Sequence, residues 1–554
     1  MQAPDGRAIE AGLATATRVA HGRHTVRPMT AATIRFRTTR APGAMVASAD
    51  QLATQAGLEA LALGGNAVDA AIATNAAIAV TSPHLCGMGG DLFALVHDVT
   101  GVHALNASGR AGAGADAAAL RAGGHTEMPF RHHIAAVTVP GCVDGWHALH
   151  ERFARLSLAQ LFAPAIRLAT LGFPASPLLV GAVSQLDERG RGQLRELAEQ
   201  AVLPGARVRR PGVAAALAAV AEHGRDGFYR GDFGRGLVTL GNGFFHESDL
   251  REPGADWVTP LAVEVFGHRL HTMPPNSQGY LLLGAALLAD EHGLPDDPAD
   301  PLWAHLLIEA AKAAGRDRPN VLHDRADGRR ALELIRARSG EIDPRRAGTL
   351  AGPMRDGDTT YLCTVDRERM GVSLIQSNAA GFGSWLAEPN TGINLHNRGL
   401  GFSLTEGHPA ELGPGRRPPH TLTPALATAA DGTLAAVFGT MGGDAQPQIL
   451  LQLAARLFGR SQSPASAIAS PRWILHGPET GFDTWTGAAG PHVVLEAHGV
   501  DQWQSGLRER GHDTRVEPSY SSAFGHAHAI VVGHDGMLSG AADPRSVVGS
   551  VAGR

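Results

Sequence analysis

Apolar residues recur at helical spacing in two consecutive segments in the first hundred residues. The first covers 49–63, where Ser48 followed by Gln51 resembles a capping box and predicts the helix start. The second covers 67–80 and follows Asn66, a residue type favoured at helix N-caps. Because the second segment consists mostly of Ala, Ile and Val, we expect that helix to be buried on every side.

Short apolar runs separated by Gly, Asp and Pro turns predict strands in both halves of the chain. The predicted strands are 93–96, 102–105, a hairpin over 261–273 that turns at Gly267, 361–365, 370–376, 422–428, 434–438, 492–496 and 527–532. Helical spacing predicts helices over 146–154, 157–171, 280–290 and 448–458. Helices combined with antiparallel hairpins favour an α+β layered fold.

Two segments have no core-forming pattern. Residues 1–42 are expected to form a disordered leader, with Met29 as an alternative start of the protein. Residues 315–357 are rich in Arg, Asp and Gly and predict a loop or linker. The core-forming pattern of apolar residues therefore begins near residue 43, and it resumes near residue 358 with strand-like segments.

The composition is that of a globular protein with one large core or two to three domains. The chain has 554 residues, of which 44% are hydrophobic and 18% charged, and its net charge is −5. That slightly acidic balance argues against nucleic acid as a main partner. Apolar runs are shorter than the roughly 20 residues that cross a membrane, and the N-terminal region has no apolar signal-peptide core. We therefore expect a cytoplasmic protein without a membrane partner.

Three cysteines, one lysine and 27 histidines restrict the possible cofactor chemistry. The cysteines form no Cys-x-x-Cys pair, so neither a disulfide framework nor a zinc ribbon is expected. Lys312, the single lysine, belongs to no Gly-Lys-Ser/Thr phosphate loop, and its helical surroundings predict a solvated helix face. The clusters His132-His133 and His526-x-His528 lack zinc-site spacing, so no metal site is predicted.

Asp358-Thr359-Thr360 places a hydroxyl residue between the linker and a strand-like segment. By itself this pattern also fits a simple turn cap. If the bond before Thr359 were cut, however, Thr359 would carry both a hydroxyl and a free α-amine. An α-amine has a pKa of about 7.7–8.0 and can accept the proton of its own hydroxyl. Such a nucleophile needs neither His nor Lys.

A glycine pair follows the strand predicted over 434–438. The successive amides of Gly442 and Gly443 could point at one oxygen and stabilise an oxyanion, a role worth about 3–4 kcal/mol per donor. A plain strand–helix turn or a phosphate loop would also fit them. The earlier glycine loop, Cys86–Asp91, is expected to be a close-packing turn. Arg110 could bind a substrate carboxylate through its planar guanidinium, or lie on the surface.

Considered in order along the chain, these segments resemble the γ-glutamyltransferase (γ-glutamyltranspeptidase) family of N-terminal-nucleophile hydrolases. The resemblance covers residues 43–545, and its motifs are specific in combination. In the first half they include Met45-Val46-Ala47-Ser48, Gly64-Gly65-Asn66-Ala67-Val68-Asp69-Ala70-Ala71, Gly89-Gly90, Val139-Pro140-Gly141 and Met273-Pro274-Pro275. In the second half they include Asp358-Thr359-Thr360-Tyr361, Phe382-Gly383-Ser384, Gly392-Ile393, Arg417-Pro418 and Met441-Gly442-Gly443.

The resemblance implies an αββα sandwich made as a precursor. The precursor would cut itself between Asp358 and Thr359. The products, a large-subunit portion over 43–358 and a small-subunit portion over 359–554, would remain associated as one folded unit. No metal or organic cofactor is implied, and the expected partner is a small-molecule amide. The oligomeric state, including a homo-oligomer, stays open.

The resemblance also implies roles for individual residues. Thr359 Oγ would attack an amide, the Gly442 and Gly443 amides would hold the oxyanion, and water or an amine would resolve the acyl-enzyme. Ser377 stands where the family has a Thr that hydrogen-bonds the nucleophile. Arg110 matches the family's arginine for the donor's α-carboxylate.

Several positions depart from the transferase pattern. Where the transferases hold the α-amine of glutamate, this chain has Arg398 and Gly401; His420 and Thr421 replace paired serines, and Ala379 replaces an Asn near the nucleophile. These replacements resemble a γ-glutamyltransferase-like bacterial branch near the cephalosporin (glutaryl) acylases, whose substrates carry a carboxylate but need no α-amine. Arg398 would suit such a carboxylate, unless it is a surface or salt-bridged arginine. His420 and Thr421 could contact the substrate, or His420 could only satisfy a polar site.

The sequence therefore predicts a self-processing Thr amidohydrolase or acyltransferase that cleaves γ-glutamyl or related acyl amides, such as glutathione-like compounds. Hydrolysis is favoured over transfer because the amine-binding pair is lost. The alternatives are a glutaryl- or cephalosporin-type acylase without α-amine recognition, an unprocessed non-catalytic binding relative, and a nucleotide-binding enzyme built on the glycine loops. The intact Thr359, Ser377 and glycine pair argue against the binding relative.

Overall fold

The computed structural model describes residues 36–348, 358–476 and 492–554. Strands occur throughout these ranges and are mostly short. They are β1 (Thr39–Ala41), β2 (Met45–Ser48), β3 (Asp91–Asp98), β4 (Gly101–Ala107), β5 (Phe173–Pro174), β6 (Arg207–Val208), β7 (Asp256–Val258), β8 (Leu261–Val265), β9 (His268–Thr272), β10 (Asp358–Val365), β11 (Gly371–Ala379), β12 (Ala425–Thr428), β13 (Leu434–Thr440), β14 (Trp473–His476), β15 (His492–Glu496), β16 (Thr514–Glu517), β17 (Ala527–Val532), β18 (Leu538–Ala542) and β19 (Ser550–Gly553).

Helices fill most of the intervals between the strands. They are α1 (Gln51–Ala62), α2 (Ala67–Thr81), α3 (Ala117–Ala122), α4 (Cys142–Phe153), α5 (Leu158–Leu171), α6 (Pro177–Ser184), α7 (Glu188–Gln193), α8 (Arg195–Gln200), α9 (Pro211–His223), α10 (Arg225–Tyr229), α11 (Asp232–Gly241), α12 (Glu247–Arg251), α13 (Gly279–His292), α14 (Pro301–Gly315), α15 (Arg318–Val321), α16 (Gly328–Arg336), α17 (Gln446–Leu457), α18 (Pro464–Ala469) and α19 (Val500–Glu509). Of the described helices, none is both long and apolar enough to cross a bilayer.

Within the described residues, most strands belong to two antiparallel sheets of seven strands each. Sheet A has the order β1-β18-β17-β13-β12-β9-β8, and sheet B has the order β19-β2-β10-β11-β3-β4-β7. The pairs β3–β4, β8–β9, β10–β11 and β12–β13 are antiparallel neighbours. They correspond to hairpins expected from the sequence, which confirms those predictions.

The two sheets pack face to face over an apolar layer. Met45, Phe93 and Tyr361 of sheet B meet Val437 and Ile530 of sheet A there, and all five are fully buried. Helices α1, α2 and α5 share a second core with the outer face of sheet B, and α13, α14 and α17 share a third with the outer face of sheet A. This order of layers confirms the predicted four-layer αββα sandwich.

Helix α2 forms as its sequence predicts. The Asn66 side chain accepts hydrogen bonds from the amides of Val68 and Asp69, and the Asp69 carboxylate accepts from the Asn66 amide. Every residue of the helix is buried. The prediction of a helix surrounded by protein is therefore confirmed, because a segment of small apolar residues lets neighbouring elements approach from all sides.

Helix α1 begins two residues later than the expected start. Asp50, not Ser48, is its N-cap, and its Oδ1 accepts hydrogen bonds from Leu52 and Ala53 at 2.7 and 3.4 Å. Ser48 ends strand β2, where its backbone pairs with both β10 and β19. The capping-box prediction was wrong because a residue held in a central strand is not available as a cap.

The N-terminal boundary of the folded chain lies earlier than predicted. Residues Thr39–Ala41, assigned above to a disordered leader over 1–42, form β1 at the edge of sheet A. They pair with β18, so the exposed edge of a strand, rather than an amphipathic pattern, orders them. Residues 1–35 of that leader lie outside the described residues.

The predicted linker over 315–357 contains helices α15 and α16. Ala331 and Ile335, one turn apart on α16, are buried against the core that covers sheet A. The contact is close, since a Cβ on Gly284 of α13 would lie 2.7 Å from Ile335. Two well-placed apolar residues therefore anchor a helix of polar composition. The last part of the linker, 349–357, lies outside the described residues.

Helix α14 does not expose Lys312. The side chain is 11% exposed and its ammonium lies 2.9 Å from Glu309, one turn earlier. The predicted solvated face was wrong because another part of the chain, which includes His512, covers this side of the helix.

The large-subunit and small-subunit portions share both sheets. In sheet B, β10 and β11 of the small-subunit portion lie between β2 and β3 of the large-subunit portion. In sheet A, β12, β13, β17 and β18 lie between β1 and β9. Among the described strands, β1 and β2 of the large-subunit portion pair only with strands of the small-subunit portion. The shared sheets therefore hold the two portions together.

Acid should unfold the protein cooperatively. Burial lowers the pKa of six described histidines from 6.5 to about 3 or 4: His84, His271, His420, His512, His526 and His528. Between those values and 6.5 the unfolded chain binds protons that the folded chain does not, so stability falls as the pH falls. Each such proton changes the unfolding free energy by about 1.4 kcal/mol per pH unit. The urea midpoint should therefore drop steeply between pH 7 and pH 5; a constant midpoint would contradict this expectation.

Candidate active site

Thr359 lies at the start of β10, in the centre of sheet B. The pairing with β11 matches Asp358 to Ala379 and Thr360 to Gln376, so β11 has one residue more than β10 in this interval and bulges opposite Thr359. The side chain is 1% exposed, and its Oγ1 lies 3.1 Å from Ser377 Oγ, within hydrogen-bond distance. Ser377 Oγ also accepts a hydrogen bond from the Ala379 amide at 2.8 Å. A bulge next to a strand end re-aims a side chain, which here brings two hydroxyls together.

The glycine pair follows β13, a strand that packs against β10. A Cβ on Gly439 would lie 2.1 Å from the ring of Tyr361, so β13 packs directly on β10 two residues from Thr359. Gly442 and Gly443 both have positive φ, 136° and 52°, which favours glycine. Neither of their amides donates to a residue that the structure describes. Two successive amides without an acceptor among the described residues could form an oxyanion hole.

A buried polar chain braces the glycine pair. Gln278 Nε2 donates to the carbonyls of Thr421 and Gly443 at 2.9 and 3.0 Å. Its Oε1 accepts from Arg318 Nε at 2.9 Å, and Arg318 in turn binds Asp444 at 2.6 Å. Because each member is hydrogen-bonded, the network fixes the backbone of the glycine loop relative to the loop that carries Thr421.

Asp91 organises a second charged cluster beside the hydroxyl pair. It faces Ser377 across the β3–β11 pairing, and its Oδ2 lies 2.8 Å from both Arg398 Nε and His420 Nε2. Arg398 also donates to Thr421 Oγ1 at 3.1 Å. Burial alone would raise the pKa of Asp91, but Arg398 and His420 outweigh it and hold that pKa well below its usual range. Asp91 is therefore ionised at neutral pH.

His420 is neutral in this cluster. Burial and the neighbouring Arg398 guanidinium lower its pKa to about 4. Its Nδ1 accepts from the Leu422 amide at 3.2 Å, so its Nε2 carries the proton that binds Asp91. His420 thus supplies a hydrogen bond rather than a charge, and Arg398 is the cation that balances Asp91.

A cavity of about 410 Å³ opens beside these groups. Its wall includes Arg398, Thr421 and Ala379, the residue that pairs with Asp358. A second cation, Arg318, also lines it. The two arginines in this wall could bind a substrate that carries a negative charge.

Comparison with known proteins identifies the family of the chain. The family model for gamma-glutamyltranspeptidase matches residues 53–553. The chain belongs to the γ-glutamyltranspeptidase family. It is accordingly an enzyme of the amidohydrolase and acyltransferase type whose members include self-processing precursors.

Two curated relatives and one solved structure are similar to this chain over nearly its whole length. A glutathione hydrolase-like YwrD proenzyme from Bacillus subtilis (strain 168) is 34% identical, covering 90% of this chain and 97% of its own. An oxamate amidohydrolase proenzyme from Klebsiella pneumoniae is 36% identical, covering 91% and 97%. A cephalosporin acylase structure from Bacillus halodurans has a TM-score of 0.86 at 32% identity, covering 95% and 99%.

The fold brings together most of the residues singled out from the sequence. Thr359 and Ser377 are in contact, and Arg398, His420 and Thr421 join through Asp91 and one another. Arg110 lies apart from this cluster. Its guanidinium is 44% exposed, pairs with Asp256 at 2.8 Å and does not line the cavity beside Arg398.

Sequence reasoning did not identify Asp91, Gln278, Arg318 and Asp444 as members of the site. Asp91 and Asp444 each follow a Gly-Gly pair directly, which was a usable signal. The first of those loops is a close-packing turn, as predicted: a Cβ on Gly89 or Gly90 would lie 2.2 or 2.4 Å from a carbonyl oxygen. Because this turn is tight, it places Asp91 at the buried start of β3.

Proposed function

We propose that this chain is a self-processing Thr amidohydrolase that cleaves amides whose acyl part carries a carboxylate. The observation that carries the proposal is the buried Arg398, which lines the cavity while Asp91, across the strand pair from Ser377, holds its guanidinium in place. A planar guanidinium with a fixed orientation binds carboxylates through paired hydrogen bonds.

Maturation begins with an attack on the chain itself. Thr359 Oγ adds to the carbonyl carbon of Asp358, the Asp358–Thr359 C–N bond breaks, and the departing nitrogen takes the hydroxyl proton. Water then hydrolyses the resulting ester and leaves Thr359 with a free α-amine. Because the two portions share both sheets, they stay associated after the cut.

Turnover uses the same hydroxyl on a substrate amide. The α-amine of Thr359 accepts the Oγ proton, and Oγ attacks the amide carbon. The amides of Gly442 and Gly443 stabilise the oxyanion, while Ser377 orients the nucleophile. The leaving amine takes the proton, and water releases the acid from the acyl-enzyme.

The α-amine of the acyl group contributes little in this proposal. At the positions where the transferases grip that amine, this chain has a cation, Arg398, and Gly401, which has no side chain. Arg398 would repel an ammonium group on the acyl part of the substrate and would attract a carboxylate in the same place. γ-Glutamyl amides, glutaryl amides and oxamate all carry a carboxylate and belong to the proposed substrate class.

Two anilides that differ only in the α-amine test this function. The mature protein should hydrolyse glutaryl-p-nitroanilide with a kcat/KM equal to or above that for γ-glutamyl-p-nitroanilide, and release ammonia from oxamate. Glycylglycine should add little to the rate, since hydrolysis is proposed over transfer. A tenfold preference for the γ-glutamyl compound would overturn the substrate proposal without affecting the nucleophile.

A further inference from the structure

Ala379 has a backbone conformation that is uncommon for a residue with a side chain. Its φ is 73°, in the left-handed region, where the Cβ of an L-residue lies too close to the following carbonyl oxygen. Ala379 ends β11, is 1% exposed and pairs with Asp358, the residue ahead of the proposed cut. Because strained backbone clusters at active sites, its occurrence beside the reacting bond points to a function.

The neighbouring residues hold Ala379 in this conformation. The Asn378 amide donates to the Leu85 carbonyl at 3.0 Å, and the Asn378 carbonyl accepts from the Asn397 amide at 3.1 Å. On the other side, the Ala380 amide donates to Asn397 Oδ1 at 3.0 Å. These hydrogen bonds fix the peptide groups before and after Ala379. The surroundings, rather than the preference of alanine itself, therefore set its φ.

The peptide group between Asn378 and Ala379 connects this turn to the nucleophile. Its N–H, the Ala379 amide, donates to Ser377 Oγ at 2.8 Å, and Ser377 Oγ lies 3.1 Å from Thr359 Oγ1. The next peptide group has to point its N–H at Asn397. The positive φ of Ala379 is the rotation that joins these two orientations. A residue that resists positive φ therefore weakens one of the two hydrogen bonds.

The position of Ser377 Oγ matters because it is the contact of the reacting hydroxyl. Held by the Ala379 amide, this oxygen restricts Thr359 Oγ1 to one place in the site. A displacement of reacting atoms by about 1 Å can lower a rate by about 100-fold. The same Thr359 hydroxyl reacts in self-cleavage and in turnover, so a shift of Ser377 should slow both reactions.

We propose that Ala379 is a positioning residue for Thr359. Its left-handed backbone conformation keeps its amide on Ser377 Oγ, and Ser377 in turn holds the nucleophile. The inference rests on the proposed function, because it concerns the hydroxyl of Thr359. It assigns the role to the main chain, since the methyl group of alanine has no polar atom. Replacements of Ala379 should therefore act according to how readily the new residue adopts positive φ.

Two replacements of similar size test the role of the backbone. Asn adopts positive φ comparatively readily, whereas Val, branched at Cβ, is a rare outlier there. Maturation is followed by intact mass after cell-free synthesis of the full chain, and turnover by hydrolysis of glutaryl-p-nitroanilide. Ala379→Val should slow maturation and lower kcat by about tenfold or more, whereas Ala379→Asn should stay within about threefold of wild type. Ala379→Gly, which adopts positive φ without strain, should also stay within about threefold.

Three controls separate positioning from other damage. Ser461 is exposed and has a φ of 49°, so Ser461→Val introduces the same strain elsewhere and should lower the Tm without changing either rate. The loss in Ala379→Val should be equal for glutaryl-p-nitroanilide and for butyryl-p-nitroanilide, which has no carboxylate. In a Ser377→Ala background, Ala379→Val should have little further effect, since the hydroxyl that it displaces is gone.

The outcomes distinguish this inference from the proposed function. Equal losses in Ala379→Val and Ala379→Asn would attribute the effect to side-chain volume in the cavity and overturn the inference. An undiminished effect of Ala379→Val in the Ser377→Ala background would overturn it as well. Wild-type rates in Ala379→Val would overturn the inference and leave the proposed function intact, whereas an uncut wild-type chain would overturn both. Ala379→Thr, also branched at Cβ, replaces Ala379→Val if that variant does not fold.

Discussion

A Thr359→Ala chain should remain in one piece and hydrolyse no amide above background. The substitution removes the hydroxyl that attacks Asp358 in the precursor and the amide carbon in turnover. Loss of a covalent nucleophile lowers kcat by about 10⁴-fold or more. Denaturing electrophoresis with intact mass measures the first effect, and the anilide assay on the folded protein measures the second.

Thr360→Val is the matched control for Thr359→Ala. Thr360 is the next residue in β10, equally buried, and its hydroxyl has no hydrogen-bond partner among the described residues. Replacing an unpaired buried hydroxyl by a methyl group is neutral or stabilising. The variant should therefore mature and turn over like wild type. Cleavage of Thr359→Ala at the wild-type position would exclude Thr359 as the nucleophile.

An Arg398→Gln enzyme should lose its preference for substrates with a carboxylate. Removing one partner of a buried charged hydrogen bond costs roughly 3 kcal/mol, which corresponds to about 100-fold in kcat/KM. The loss should be confined to the carboxylate-bearing compound. We expect kcat/KM to fall about 100-fold for glutaryl-p-nitroanilide and by far less for the neutral butyryl-p-nitroanilide.

The ratio of glutaryl to butyryl activity distinguishes a loss of carboxylate binding from a loss of fold stability. Arg398→Gln also leaves Asp91 without its cation and destabilises the fold, so a variant with equal structural damage elsewhere is needed. Arg225→Gln provides it, because Arg225 pairs with buried Asp144 at 2.6 Å and does not line the cavity. Arg225→Gln should lower the Tm but keep the wild-type ratio of glutaryl to butyryl activity. An unchanged ratio in Arg398→Gln would exclude Arg398 as the carboxylate ligand.

The local features of this site were readable from the sequence. The Asp358-Thr359-Thr360 run does open a buried strand, and Gly442 and Gly443 do follow the next hairpin. Their motifs carried the family resemblance and with it the four-layer fold. Nothing local could show that β11 bulges opposite Thr359, since a bulge depends on the register between the two strands.

Elements with a strong internal pattern were likewise determined by the sequence. Helix α2 has both its cap and its apolar composition within a short segment. Each hairpin likewise has its turn residues and its apolar runs within a short segment. Helix α16 was missed because its polar composition hides two apolar contacts. The cap of α1 was misplaced because sheet pairing, not local propensity, decides the conformation of Ser48.

The sequence alone determined which chemical groups are present and which short segments carry them. Only the tertiary structure decided how those groups are paired. Arg398 meets Asp91 across 307 residues, and Lys312 meets His512 across 200. Capping, helical spacing and turn chemistry act over a few residues, whereas the partner of a buried charge is chosen by whichever distant segment packs against it. The specificity inferred for this enzyme depends on that second kind of contact.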